Sequence, residues 1–239
     1  MSNTTLMASV LLMTSLLASC NLRQDDFLED VLALEAPSTT AEEPSEERIE
    51  ELQAAIEEFR DVVEAKVEAS RNMAVYYKML ASEYIERRMF GLALDALEEA
   101  IAIQPENPSL FYTAGVAAAR FAKSQVEEAE ALAWFARAES YYQRCIELDP
   151  RNGDAHYGLA VLYEFELDRS AEARTLLQNL ISFEPNNYPA LGVLARIYVS
   201  DGRVSDAISI YEDIVANSKD PDLREQAAEN RRRLLGEVP

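Results

Sequence analysis

Residues 77–105 read YKMLASEYIERRMFGLALDALEEAIAIQP, and the placement of Tyr77, Leu80-Ala81, Tyr84, Ala93, Leu97, Ala100 and Pro105 within them decides the fold. Apolar and small side chains recur there at helical spacing. The small residues let two antiparallel helices approach closely, the aromatic and leucine positions fill the space between them, and the proline starts the turn to the next pair. The arrangement then returns. Pro105, Pro150, Pro185 and Pro221 stand 45, 35 and 36 residues apart, and self-similarity at such a period calls for a solenoid. A second unit offers Phe111, Ala114-Gly115, Ala118, Ala138, Tyr142, Cys145 and Pro150. A third offers His156, Leu159-Ala160, Tyr163, Ala173, Leu177, Leu180 and Pro185, and a fourth Leu191, Leu194-Ala195, Tyr198, Gly202, Ala207, Tyr211 and Ile214 without a closing proline at its expected place. No unit buries its faces alone; stacked neighbours do so, at about 1.5–3 kcal/mol per large side chain fully buried.

These positions resemble the tetratricopeptide repeat, with its order of aromatic, Leu-small, aromatic, Ala, large, small and Pro. The resemblance covers units 74–107, 108–152, 153–187 and 188–219. It implies an all-α fold: a right-handed α–α superhelical solenoid of four helix hairpins, preceded by a long N-terminal helix and closed by a C-terminal capping helix. It also implies a scaffold that binds protein partners.

The flanks follow from composition and spacing. Residues 221–236, with Leu223, Ala227, Ala228, Leu234 and Leu235 among polar residues, predict the cap that a stack requires. Arg231 to Arg233 suit the last turn of that helix, where cations face the dipole; a basic docking patch is the sharper reading. Residues 46–72 predict a long amphipathic helix, since Ile49, Leu52, Ile56, Phe59, Val63 and Val67 fall at steps of three and four. That stripe either caps the N-terminal end of the solenoid or seeds a homo-oligomeric coiled coil through residues 46–69. Residues 20–45, with Pro37, Pro44 and many acids, predict a flexible acidic tether in which Phe27, Leu28, Val31 and Leu32 mark a short amphipathic turn.

Residues 1–19 carry no charged side chain and hold an apolar stretch too short for the roughly 20 residues that span a bilayer, which predicts a signal peptide. Its end, Leu17-Ala18-Ser19-Cys20, resembles the lipobox of bacterial lipoproteins. That resemblance implies a diacylglycerol and an N-acyl chain on Cys20, two palmitate-type signals or more being enough for stable anchoring. The expected location is the bacterial cell envelope, lipid-anchored on the periplasmic side or the surface. Asn21 in place of an aspartate after the cysteine favours the outer membrane over the inner.

Charge narrows the function further. The chain of 239 residues has 22 Lys+Arg against 43 Asp+Glu, a net −21 that repels nucleic-acid backbones and anionic headgroups. Residues 20–68 alone hold 16 acids and 4 bases. One histidine and two cysteines cannot build a Cys/His zinc site, and neither a glycine-rich phosphate loop nor a G-x-S-x-G or H-E-x-x-H motif occurs. No metal, cofactor, nucleic-acid partner or enzymatic activity is therefore expected, and His156 and Cys145 read as core residues.

Under the repeat register a partner-binding groove is lined by Lys78, Ser82, Ile85 and Glu86, then Tyr112, Val116 and Arg120, then Tyr157, Val161 and Glu164, then Arg196. Such a mixed groove suits an extended or helical peptide with apolar anchors. Lys78 matches one position of the carboxylate clamp of chaperone-binding relatives, whereas Ser82, Asp154 and Gly158 depart from it. The second unit is 45 residues long, and a capping box at Ser124 and Glu127 predicts a second helix from about Gln125 to Leu148, about 36 Å long and standing about 16 Å beyond its neighbours. Its far end would present Leu132, Trp134 and Phe135 as a second surface, unless residues 45–69 or the turn Phe165 to Ser170 cover it. The function expected is a lipid-anchored extracytoplasmic scaffold in a cell-envelope assembly. The alternative is an oligomeric accessory subunit, a trimer for example, of a solute-binding transport system.

Overall fold

The computed structural model describes residues 46–236, and all regular structure among them is helical. The helices are α1 (Glu46–Glu86), α2 (Phe90–Ile103), α3 (Pro108–Ala122), α4 (Glu128–Leu148), α5 (Gly153–Phe165), α6 (Ser170–Phe183), α7 (Tyr188–Ser200), α8 (Val204–Asn217) and α9 (Pro221–Leu234). The signal peptide, Cys20 and the tether expected over residues 1–45 lie outside the described residues.

Local chemistry sets the helix starts. Asn107, Asn152 and Asn187 precede α3, α5 and α7, and their side-chain oxygens accept from Ser109 N at 3.1 Å, Ala155 N at 3.0 Å and Ala190 N at 3.1 Å. Each cap satisfies a backbone donor that the first helical turn leaves free. Asp220 does the same for α9, with Pro221 at its first position, where a missing N–H costs nothing. The turns inside the hairpins share another device. Arg88, Asp168 and Gly202 all adopt positive φ, at 60°, 52° and 75°. The next amide in each, of Met89, Arg169 or Arg203, donates to the carbonyl of Tyr84, Tyr163 or Tyr198 at 2.8 Å, closing the helix with a left-handed residue.

The chain divides after Asp61 into two compact units. The described part of the first is the opening of α1, in which Ile49 and Ile56 are exposed and Phe59 is half-buried. The second, from Val62 onward, is a superhelical stack of hairpins around one continuous core. Ala81, Ala93, Leu97 and Ala100 of the first hairpin are fully buried, as are Ala114, Ala118, Ala138 and Cys145 of the second. Leu177 and Leu180 of the third and Ala195, Ala207 and Ile214 of the fourth are buried likewise. Leu223, Ala227 and Leu234 join α9 to the same core.

Two features differ from the sequence expectation. First, no break separates residues 46–72 from the first repeat: α1 runs unbroken for 41 residues. The reason is compositional, because neither Gly nor Pro occurs between Pro44 and Gly91. Second, α4 starts at Glu128 and not near Gln125, with no side-chain cap. Ser124 is already used: its hydroxyl donates to Phe121 O at 2.7 Å and its amide to the same carbonyl at 2.9 Å, which ends α3 and leaves no capping box. The extra length of this unit is shared between both helices. α4 has 21 residues against 14 in α2, α6 and α8, and α3 has 15 against 13 in α5 and α7. Seven residues are close to two turns, so α4 keeps its phase and extends by about 10 Å, not 16.

Candidate functional site

The positions expected to line a groove fall on the first helices of the hairpins, α3, α5 and α7, together with the end of α1. Ile85, Tyr112, Val116, Tyr157 and Val161 are all half-buried beside the core. Burial raises the pKa of the Tyr112 and Tyr157 phenols, so both stay neutral donors and acceptors. The packing beneath them rests on two missing β-carbons. The buried Tyr142 ring of α4 lies across Gly115 of α3 and Gly158 of α5, and a Cβ at either glycine would stand 2.7 or 2.9 Å from that ring. Tyr112 tilts against Tyr142 with ring centroids 6.3 Å apart.

Charged groups mark the ends. At one end a cavity of about 350 Å³ is bordered by Ile85, Glu86, Arg88, Phe90, Arg120 and Lys123. Lys123 there reaches Glu166 at 2.5 Å, whereas Lys78 donates to Ser109 Oγ at 2.6 Å near the opposite end of α3. Ser82, exposed, turns its hydroxyl back to the carbonyl of Lys78 at 3.1 Å. At the other end Glu164, only 7% exposed, accepts from Ser170 Oγ at 2.6 Å and lies 3.5 Å from Arg196. The Arg196 guanidinium lies 4.9 Å from the Phe165 ring centroid. A cavity of about 620 Å³ opens beside this pair, among α5, α7, α8 and α9, with Tyr157, Val193, Arg196, Tyr211, Asn230 and Arg233 on its walls. Of these, the sequence marks Tyr211 only as a repeat position and Arg233 only within the run Arg231 to Arg233, and it does not single out Val193 or Asn230. The spacing of Leu223, Ala227, Asn230 and Leu234 in α9 was the available signal.

The second surface is only partly one. Phe135 is 7% exposed and belongs to the core, whereas Leu132 is 49% exposed. Trp134 is half-buried, edge-on to Phe121 at 4.7 Å and under the Arg137 guanidinium at 4.4 Å. Its cover therefore comes from the lengthened α3 of its own hairpin. Arg231 pairs with Glu212 at 3.8 Å, Arg233 with Glu229, and the Arg232 Nε meets the carbonyl of Ala228 at 3.4 Å, so local contacts occupy all three arginines.

His156 is 5% exposed, its Nε2 lies 3.1 Å from the Pro150 carbonyl, and its ring meets Phe183 edge-on at 5.6 Å. Burial pushes the Cys145 thiol up to about 11, which leaves little thiolate at neutral pH. Among the described residues no carboxylate, histidine and cysteine cluster is arranged to hold a metal, and no helix is long and apolar enough to cross a membrane.

Stacked helical hairpins with small residues at their internal contacts define a helical-repeat scaffold. Comparison with known proteins gives that class its name. Models described as tetratricopeptide repeat match residues 127–152, 141–175 and 164–228. Residues 127–228 thus carry tetratricopeptide repeats. No curated protein sequence matches it. Solved structures repeat the fold at low identity. A tetratricopeptide protein of Thermus thermophilus, TTC0263, aligns with a TM-score of 0.57 at 20% identity, over 64% of this chain and 78% of that one. MamA residues 41 to the end, from Desulfovibrio magneticus RS-1, aligns at 0.52 and 17%, over 69% and 94%. IFIT1 with Gppp-AAAA aligns at 0.60 and 17%, over 69% of this chain and 39% of that one.

Proposed function

We propose that this tetratricopeptide-repeat scaffold holds a peptide segment of a partner protein in its groove while a lipid on Cys20 anchors it, outside the cytoplasm, to a membrane of the bacterial cell envelope. The observation that carries the groove reading is the half-buried row Ile85, Tyr112, Val116, Tyr157 and Val161. These side chains sit on rigid helices, keep part of their apolar surface in water, and have a cavity at each end of the row. Burying such a row under an apolar anchor yields about 25 cal/mol per Å² removed from water, and the flanking charges set orientation more than affinity. The anchor rests on Leu17-Ala18-Ser19-Cys20. The large negative charge speaks for a protein partner over nucleic acid.

The test combines mass spectrometry with site-specific crosslinking in intact envelopes. A photoreactive residue at Tyr112 or Tyr157 should capture one and the same defined protein. The same residue at exposed Thr175 should not, and a Tyr112→Ala/Tyr157→Ala variant should lose it while keeping its helical spectrum. Capture that is equal from all three positions would refute the groove, and an unmodified thiol on mature Cys20 would refute the anchor.

A further inference from the structure

The hairpins reveal what one end of the stack lacks. Aligned on Tyr77, Phe111, His156 and Leu191, the first helices place Leu110, Ala155 and Ala190 at one position, and these are 1%, 0% and 0% exposed. Two helical turns further on come Ala117, Leu162 and Ile197, all buried likewise. They are buried because α2, α4 and α6 pack on α3, α5 and α7. Among the described residues no helix occupies the equivalent place against α1. Its residues at the equivalent places, Tyr76 and Glu83, are exposed, as is Leu80 between them, with Tyr76 at 69%.

These three belong to a longer row. Lys66, Ala69, Met73, Tyr76, Leu80 and Glu83 follow one another at steps of three and four, so they share one face of α1 within the second unit, and all six are exposed. The steps read 3, 4, 3, 4, 3 in either direction. An antiparallel copy of the helix, turned about a two-fold axis between Met73 and Tyr76, therefore meets the row residue for residue. Met73 then opposes Tyr76, Leu80 falls on the small Ala69, and the Lys66 ammonium meets the Glu83 carboxylate, twice over by symmetry.

We propose that this face of α1 is the interface between two copies of the chain, each supplying the helix that the other's first hairpin lacks. The occupant is a second copy because the row complements itself in size and in charge. A parallel copy would bring like charge to like, Lys66 to Lys66 and Glu83 to Glu83. Solenoids need their terminal hairpins covered, and α9 covers the other end with Leu223, Ala227 and Leu234. The proposal is independent of the groove reading.

Sedimentation velocity on the full chain, over about three decades of concentration, should show a monomer–dimer equilibrium. Lys66→Glu and Glu83→Lys alone should each weaken it by about tenfold or more, and the combined swap should restore it. Tyr76→Glu should abolish the dimer while the helical spectrum, and the melting at concentrations where the native chain is monomeric, stay unchanged, since the side chain is exposed. A monomer throughout, a dimer indifferent to Tyr76→Glu, or a swap that fails to rescue would each overturn the proposal. So would a chain that dimerises only once residues 21–45 are removed, because its own N-terminal segment would then cover the face.

Discussion

Gly158→Ala is the sharpest probe of the packing beneath the groove. The substitution sits inside α5, where alanine in place of glycine gains about 1 kcal/mol of helix propensity. Its Cβ, however, would come 2.9 Å from Cε1 and Cζ of Tyr142 and 3.2 Å from the phenolic oxygen. That ring is 4% exposed and also lies against Gly115, where a Cβ has 2.7 Å, so it has no free space on that side. Overpacking of this kind costs about 1–3 kcal/mol, and the balance is a net loss of about 1 kcal/mol. Tyr142→Leu removes the three atoms in the way. In that background Gly158→Ala should gain about 1 kcal/mol, a coupling of about 2 kcal/mol between the two sites. Thermal melts followed by circular dichroism read this as a Tm drop of about 2–4 °C in the native background and a rise of similar size in the leucine background. If the alanine stabilises both backgrounds equally, the ring does not rest on Gly158 and the account of the groove floor is wrong.

Three further outcomes follow from the same fold. Arg88→Gly should raise stability by about 1 kcal/mol, because Arg88 holds a φ of 60° that costs a side chain but not glycine; an unchanged or lowered Tm would count against the turn geometry. Asn152→Ala should cost about 1 kcal/mol by freeing the Ala155 amide, and Asn152→Ser, which still accepts without setting a second carboxylate against Asp149, should recover part of it in urea titrations. Alkaline pH should destabilise the fold. Burial raises the Cys145 thiol to about 11 and also raises the Tyr142 phenol, so both protonated forms are favoured in the folded state. Their contribution is complete below the ordinary values near 9 and 10 and is lost as pH rises through the folded ones. Melts at pH 7 and 8.5 should coincide, and those at pH 10 and 11 should fall progressively, less steeply in Cys145→Ala. A flat profile to pH 11 would contradict the burial of both groups.

The repeat was legible because its reading uses small residues. Ala81 with Gly115, Ala160 and Ala195, and Ala93 with Ala138, Ala173 and Ala207, mark helix contacts that tolerate little else, and they recur at a fixed period. The expected groove positions were drawn from the same register. What escaped was the sharing of an insertion between two helices. A capping box and a turn made from Ser124 look alike in one dimension, and the hydroxyl is spent on whichever carbonyl lies nearer, here that of Phe121. Once α3 lengthened too, Phe121 reached Trp134, and Phe135 turned into the core. The continuity of α1 was readable from the lack of Gly and Pro, but the repeat boundary drew attention away from it. The left-handed turn residues were visible only at Gly202; nothing in the letters Arg88 and Asp168 announces a positive φ.

The Tyr142 ring also spells the order of neighbours along the stack. Hairpins built to one plan are nearly interchangeable, and a chain that skipped or exchanged one would still find leucines and alanines to pair. The place held by Gly158 in α5 is held by Thr113 in α3 and Val193 in α7. Only the third hairpin offers the second an empty place where its tyrosine can lie, so a shuffled assembly would drive a branched side chain into that ring. An absent methyl thus works as an address.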